Sequence, residues 1–106
     1  MSEKYRVMVS DKAKNDLKGI YLYITISLFS NIAAKNTVNR IRKKMRELDT
    51  FPKRYPIMKY EKMKKEEIRS VCINDHLIVY KVNEEEKTVN ILRIVYGRQD
   101  LENAEA

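Results

Sequence analysis

The 106-residue chain holds one cysteine, Cys72, and one histidine, His76. A single thiol excludes an intrachain disulfide. With no metal-ligand spacing around it, the sequence predicts a reduced, cytoplasmic setting in which Cys72 packs as a small strand residue. Long apolar runs are missing as well. The longest uncharged stretch, Gly19 to Ala34, contains Thr25, Ser27, Ser30 and Asn31 and falls short of the roughly 18 consecutive apolar residues of a membrane span. It reads as a buried helix followed by a turn, and no membrane partner is expected. The opening Ser2, Glu3 and Lys4 lack the charged head and apolar core of a secretory signal, so export by that route is not expected. Glycine and proline are scarce, at two each, and Pro52, Pro56 and Gly97 therefore mark breaks between elements. No internal repeat or low-complexity segment is present, and the length suits one domain, residues 1–106.

Acidic residues are absent where basic ones gather. The net charge is +7, from 22 Lys and Arg against 15 Asp and Glu. Lys35 to Arg46 carries Lys35, Arg40, Arg42, Lys43, Lys44 and Arg46 with no acidic residue, and Lys53, Arg54, Lys59, Lys62, Lys64 and Lys65 are interrupted only by Glu61. Such clusters suit a polyanionic partner, nucleic acid or an acidic protein segment, although a solvated face has the same composition.

Tyr5 to Ser10 alternate, with Tyr5, Val7 and Val9 on one side, as in a half-buried strand. Ser10 or Asp11 caps a helix whose apolar positions Ala13, Leu17, Ile20, Tyr21, Ile24 and Leu28 recur at three- and four-residue spacing. Ser30 or Asn31 starts a second helix with Ile32, Ala33, Val38, Ile41, Met45 and Leu48 facing inward, and the short break predicts an antiparallel hairpin. Phe51-Pro52 ends it, because the residue before a proline is pushed out of the helical region. Lys53 to Lys65 shows no period and reads as an exposed loop. Strands are predicted over 67–73, 77–82 and 88–96, with Asn74-Asp75-His76 and 83–87 as turns and a fraying tail after Asp100. The last run, Thr88 to Tyr96, is apolar enough to be a central strand buried on both faces. The fold class is therefore α+β. An N-terminal strand and a helix hairpin precede a three-stranded antiparallel meander, in one four-stranded sheet whose helix-free face is rimmed with cations.

This order, and the phrases Ser10-Asp11-Lys12-Ala13-Lys14-Asn15-Asp16-Leu17, Phe51-Pro52, Ile68-Arg69, Ile78-Val79-Tyr80-Lys81-Val82 and Ile91 to Asp100, resemble the RelE/ParE superfamily of small bacterial toxins from type II toxin–antitoxin modules. The resemblance covers nearly the whole chain. It implies a growth-inhibiting toxin neutralised by a cognate acidic antitoxin, with either of two targets. RelE-like chains cut mRNA on the ribosome without a metal or cofactor; ParE-like chains poison DNA gyrase and carry no known catalytic centre.

Metal-free RNA cleavage needs a base, an acid and cations around one phosphate. The resemblance offers Arg98 as the arginine after the last strand, with Arg69, His76 and Tyr96 for the other roles. Leu77, however, stands where RelE-like chains often keep an arginine, which counts against ribonuclease activity. Asp100-Leu101 after the last strand, and Arg69 before the third strand, fit the ParE-like pattern, and gyrase poisoning is the favoured reading. A basic binding module without toxic activity is the third. The loop cations Lys53 to Lys65 are candidate binding residues. Arg93 is another, since a charge in an apolar strand needs a ligand or an internal partner such as Glu67 or Asp16.

Overall fold

Ser10 decides where the first strand stops and the first helix begins. The computed structural model describes residues 4–97, and in it β1 (Arg6–Val9) half-buries Val7 and Val9 while exposing Arg6 and Met8. The Ser10 hydroxyl then accepts from the Ala13 N–H at 3.0 Å and donates to the Leu92 carbonyl at 2.9 Å. One side chain thus caps α1 (Asp11–Leu28) and ties it to the sheet. Phe29, in the left-handed region at φ 50°, closes α1, and Ser30 caps α2 (Asn31–Glu47) by accepting from the Ala33 N–H at 3.1 Å. The two helices pack on each other.

Ala13, Leu17, Val38, Ile41, Met45 and Leu48 are buried, as the periodicity predicts. The pattern departs at the hairpin tip, where Leu28 and Ile32 are 62% and 75% exposed while Ala34 is fully buried. Buried residues of α1 are confined to its first half. In its last turns Leu22, Tyr23, Ile26 and Leu28 are exposed, and Tyr23 and Ile24 line a cleft instead of closing a core.

After α2 a 3-10 turn, Pro52–Arg54, leads to α3 (Glu61–Lys65), β2 (Arg69–Ile73), β3 (His76–Asn83) and β4 (Thr88–Tyr96). The sheet order is β1-β4-β3-β2, with β1 parallel to β4 and the remaining pairs antiparallel. This is the expected α+β arrangement, with β4 inside the sheet beside β3.

Two expectations are corrected. Residues 53–65 are not simply an exposed loop, because Met58 and Met63 are buried at 6% and 1% exposure. Nor is the second face of the sheet bare throughout. Met58, Met63 and Ile68 cover Leu77, Val79 and Val95 there, while Ile78, Tyr80, Val89, Ile91 and Ile94 pack under the helix hairpin. A five-residue helix is little more than one turn, too short for a 3.6-residue period to register in the sequence.

One irregularity in β4 sets the position of Arg93. Val79 lies opposite Arg93 and Tyr80 opposite Ile91, so Leu92 is a bulge residue without a cross-strand partner. The start of α1 answers it. Besides the Ser10 bond to Leu92, Asp16 accepts from the Ile94 N–H at 2.9 Å and from Arg93 at 2.8 and 3.0 Å.

Candidate functional site

The sheet carries its sequence-nominated residues at two separate ends. Arg69 opens β2 opposite Tyr80, whereas His76 opens β3 opposite Tyr96. Four residues of β3 separate the two places, roughly 13 Å at the rise of a strand. The Arg69 side chain is spent on its own backbone. Its guanidinium donates to the carbonyls of Lys53 at 3.1 Å and Tyr55 at 2.7 Å, pinning the chain that comes after α2. Tyr80 pins the same segment, donating to the Pro52 carbonyl at 2.6 Å from a buried position. Burial pushes the Tyr80 phenol up to about 12, partly opposed by the Arg69 charge, so it stays a donor at any physiological pH.

His76 is not a turn residue. A two-residue connection, with Asn74 at φ 54°, brings it into register opposite Ile73 as the first residue of β3, where it is only 8% exposed. Its ring meets Tyr96 edge-on, with centroids 5.4 Å apart and planes at 73°. Burial holds the imidazole below its ordinary value of 6.5, with the Asp75 charge pulling the other way. Among the described residues its Nδ1 is buried without a hydrogen-bond partner. Tyr96 is 60% exposed. Beyond it, Gly97 adopts φ 68°, a region that favours glycine, and its N–H donates to the Asp75 carbonyl at 2.7 Å. That bond closes the strand end over the β2–β3 turn. Arg98 comes next in the chain but lies outside the described residues.

A cleft of about 1140 Å³ opens between α1 and this end of the sheet, lined by Asp16, Tyr23, Asp75, His76, Arg93 and Tyr96 among others. Arg93 reaches it with its charge already engaged by Asp16. The structure therefore brings His76, Tyr96 and Arg93 to one cleft and leaves Arg69 at the other end.

The six loop cations are all exposed, and they divide into two groups. On the 3-10 turn, Lys53 lies 3.6 Å from Glu84, while Arg54 donates to the Glu47 carbonyl at 3.4 Å and lies over the Tyr55 ring at 5.2 Å. Lys59, Lys62, Lys64 and Lys65 sit on and before α3 and form a ridge above the Met58–Met63 core. Sequence reading missed the role of Met58 and Met63 in carrying that ridge. Two methionines, Met58 and Met63, among the cations of 58–65 were the available signal. Among the described residues no cluster of His, Cys, Asp and Glu could hold a metal ion, and no helix is long and apolar enough to cross a membrane.

Comparison with known proteins places this arrangement. The family described as the ParE toxin of the type II toxin-antitoxin system parDE matches residues 7–101. The chain belongs to the ParE toxin family. Its fold is similar to that of a chain in the chromosomal ParDE toxin–antitoxin system from P. aeruginosa, with a TM-score of 0.74 and 18% identity, covering 90% of this chain and 98% of that one. It is also similar to a chain of the RelBE2 toxin–antitoxin complex from Mycobacterium tuberculosis, with a TM-score of 0.61 and 19% identity, covering 89% and 92%. A search of curated proteins found no match. This ParE-family chain is thus the toxin component of a type II toxin–antitoxin system, on a fold that the ParE-like and RelE-like branches share.

Proposed function

We propose that this ParE-family toxin arrests growth by poisoning DNA gyrase and is neutralised by a cognate acidic antitoxin. The observation that carries the reading is the dispersal of the groups RNA cleavage would need. A base, an acid and cations must all reach one phosphate. Here Arg69 is held under the 52–55 segment by two backbone carbonyls, at the end of the sheet away from His76 and Tyr96. Leu77, at the position where RelE-like chains often keep an arginine, is buried against the Met58–Met63 core. A poison that traps another enzyme on DNA needs a complementary surface and no catalytic set, and the exposed Lys59, Lys64 and Lys65 ridge suits a DNA-bound target.

The test adds purified toxin to gyrase, ATP and relaxed plasmid. Linear DNA should accumulate, and Lys59→Glu/Lys64→Glu/Lys65→Glu should reduce it by at least about tenfold, as expected when several surface charges are reversed. Intact plasmid alongside transcripts cut between codon positions overturns the reading. The edge-on contact of His76 and Tyr96, with Arg98 next in the chain, favours ribosome-dependent mRNA cleavage as a second reading. Under that reading His76→Gln abolishes message cutting.

A further inference from the structure

We infer that two copies of this chain pair through the tips of their helix hairpins, α1 antiparallel to α1 about a two-fold axis, with Phe29 of each copy seated over Gly19 of the other. Leu22, Tyr23, Ile26, Leu28, Phe29 and Ile32 are between 59% and 94% exposed, a run of large apolar side chains that the monomer leaves uncovered. On α1, Gly19, Leu22, Tyr23 and Ile26 recur at three- and four-residue spacing, which places them on one side of the helix, away from the buried Ala13 and Leu17. Phe29 follows at the cap, and Ile32 lies in the first turn of α2. At about 200 Å² for a whole aromatic side chain and roughly 100 Å² for an aliphatic one, the patch offers on the order of 600 Å². That is about the most a monomer ordinarily exposes, and it approaches the roughly 800 Å² per partner of a standard interface.

Two features choose a second copy as the occupant. The chain carries a net charge of +7, yet no residue from Gly19 to Ala34 is charged. The hairpin tip is therefore where two cationic copies can meet with least repulsion, and it offers a phosphate backbone no cation to pair with. The second feature is Gly19 itself. It lies inside an 18-residue helix, where glycine is less favourable than alanine, and a Cβ added there would meet nothing within 4 Å. Among the described residues no close approach calls for a glycine at this position. A partner side chain does, because the gap is bare backbone on the apolar stripe and an antiparallel pair lays the exposed Phe29 ring across it. The register that seats Phe29 over Gly19 also lays Ile26 against Leu22, and it brings Lys18 level with Ser30 instead of with a cation. Each contact forms twice about the axis, so the interface closes at two copies.

The test is sedimentation equilibrium of the purified full-length toxin from about 1 to 200 µM, a range set by the modest size of the patch. A dimer should form with a dissociation constant of roughly 10–100 µM, and added salt should strengthen it by screening the net charge. Gly19→Gln, a better helix former that fills the gap, should weaken dimerisation at least about tenfold while the melting temperature of the dilute monomer holds or rises. Ile26→Gln/Phe29→Asn should weaken it at least about 30-fold, since both residues sit at the centre of the contact. Asparagine tolerates the left-handed backbone that Phe29 adopts, so the cap survives. Phe51 is also exposed and left-handed but lies outside the hairpin, and Phe51→Asn stays within about threefold of the unaltered chain. A chain still monomeric at about 200 µM overturns the proposal. So does a dimer that Gly19→Gln and Ile26→Gln/Phe29→Asn leave intact, or an equal loss from Phe51→Asn. Binding of the monomer to phosphatidylglycerol vesicles, abolished by Ile26→Gln/Phe29→Asn, overturns it too and makes the patch a membrane-facing surface. Neither gyrase nor antitoxin is present in the experiment, so its outcome is independent of the toxin's target.

Discussion

Asp16 accepts one hydrogen bond from the Ile94 N–H and two from Arg93, so one carboxylate neutralises a charge in β4 and satisfies the backbone beside the bulge. Both side chains are largely buried, at 24% exposure for Arg93 and 16% for Asp16, and removing one partner of such a pair leaves the other charge uncompensated. Asp16→Asn should therefore lower unfolding free energy by about 2–4 kcal/mol in urea melts; a loss below about 0.5 kcal/mol would show that Arg93 is held elsewhere. His76 supplies the pH dependence. Burial places its folded pKa below the ordinary 6.5, so between the two values the unfolded chain binds more protons than the folded one. Its contribution to stability is complete above the unfolded pKa and is lost as pH falls below that value toward the folded one. Urea midpoints measured at about pH 7.5 and pH 5 should fall with acidification, and His76→Phe, which keeps the edge contact with Tyr96, should flatten that fall.

Among the elements, α3 departs most from its sequence reading. The strands and the long helices were legible because their periods repeat over several turns or pairs, and because Ser10, Ser30 and Pro52 punctuate them. For α3 the signal was one buried side chain, Met63, on a single turn of lysines and glutamate. Its packing nevertheless covers the β3–β4 part of the second face of the sheet. Truncating Met63 to Ala should cost about 2–5 kcal/mol, since it opens a cavity against Leu77 and Val95. If α3 merely rested on the surface, chemical denaturation would show almost no change. The site was partly legible in the same sense. Tyr96 at a strand end and the exposed lysines lie as their sequence positions suggest, whereas His76 was displaced from turn to strand by a connection one residue shorter than the spacing implied.

On the scale of the whole molecule, charge works against the free toxin. A +7 chain with cations gathered on α2 and α3 repels itself, and salt screens such repulsion over a Debye length of about 10 Å at 0.1 M. Raising salt from about 0.05 to 0.3 M should raise the melting temperature of the isolated toxin while weakening its antitoxin complex. A fall in the free chain would mean that its internal ion pairs outweigh the repulsion. Periodicity and the residues that break it were enough, by themselves, for the α+β class, the helix hairpin and the strand order along the chain, because each is written in residues close together, while the toxin resemblance was carried by short residue phrases in a fixed order. Which charges are engaged internally was decided only by tertiary contacts. Arg93 meets Asp16 across 77 residues, Tyr80 meets Pro52 across 28, and Arg69 meets Tyr55 across 14. No local pattern encodes whether an arginine faces a ligand or a carbonyl of its own chain, since that depends on which segment packs over it.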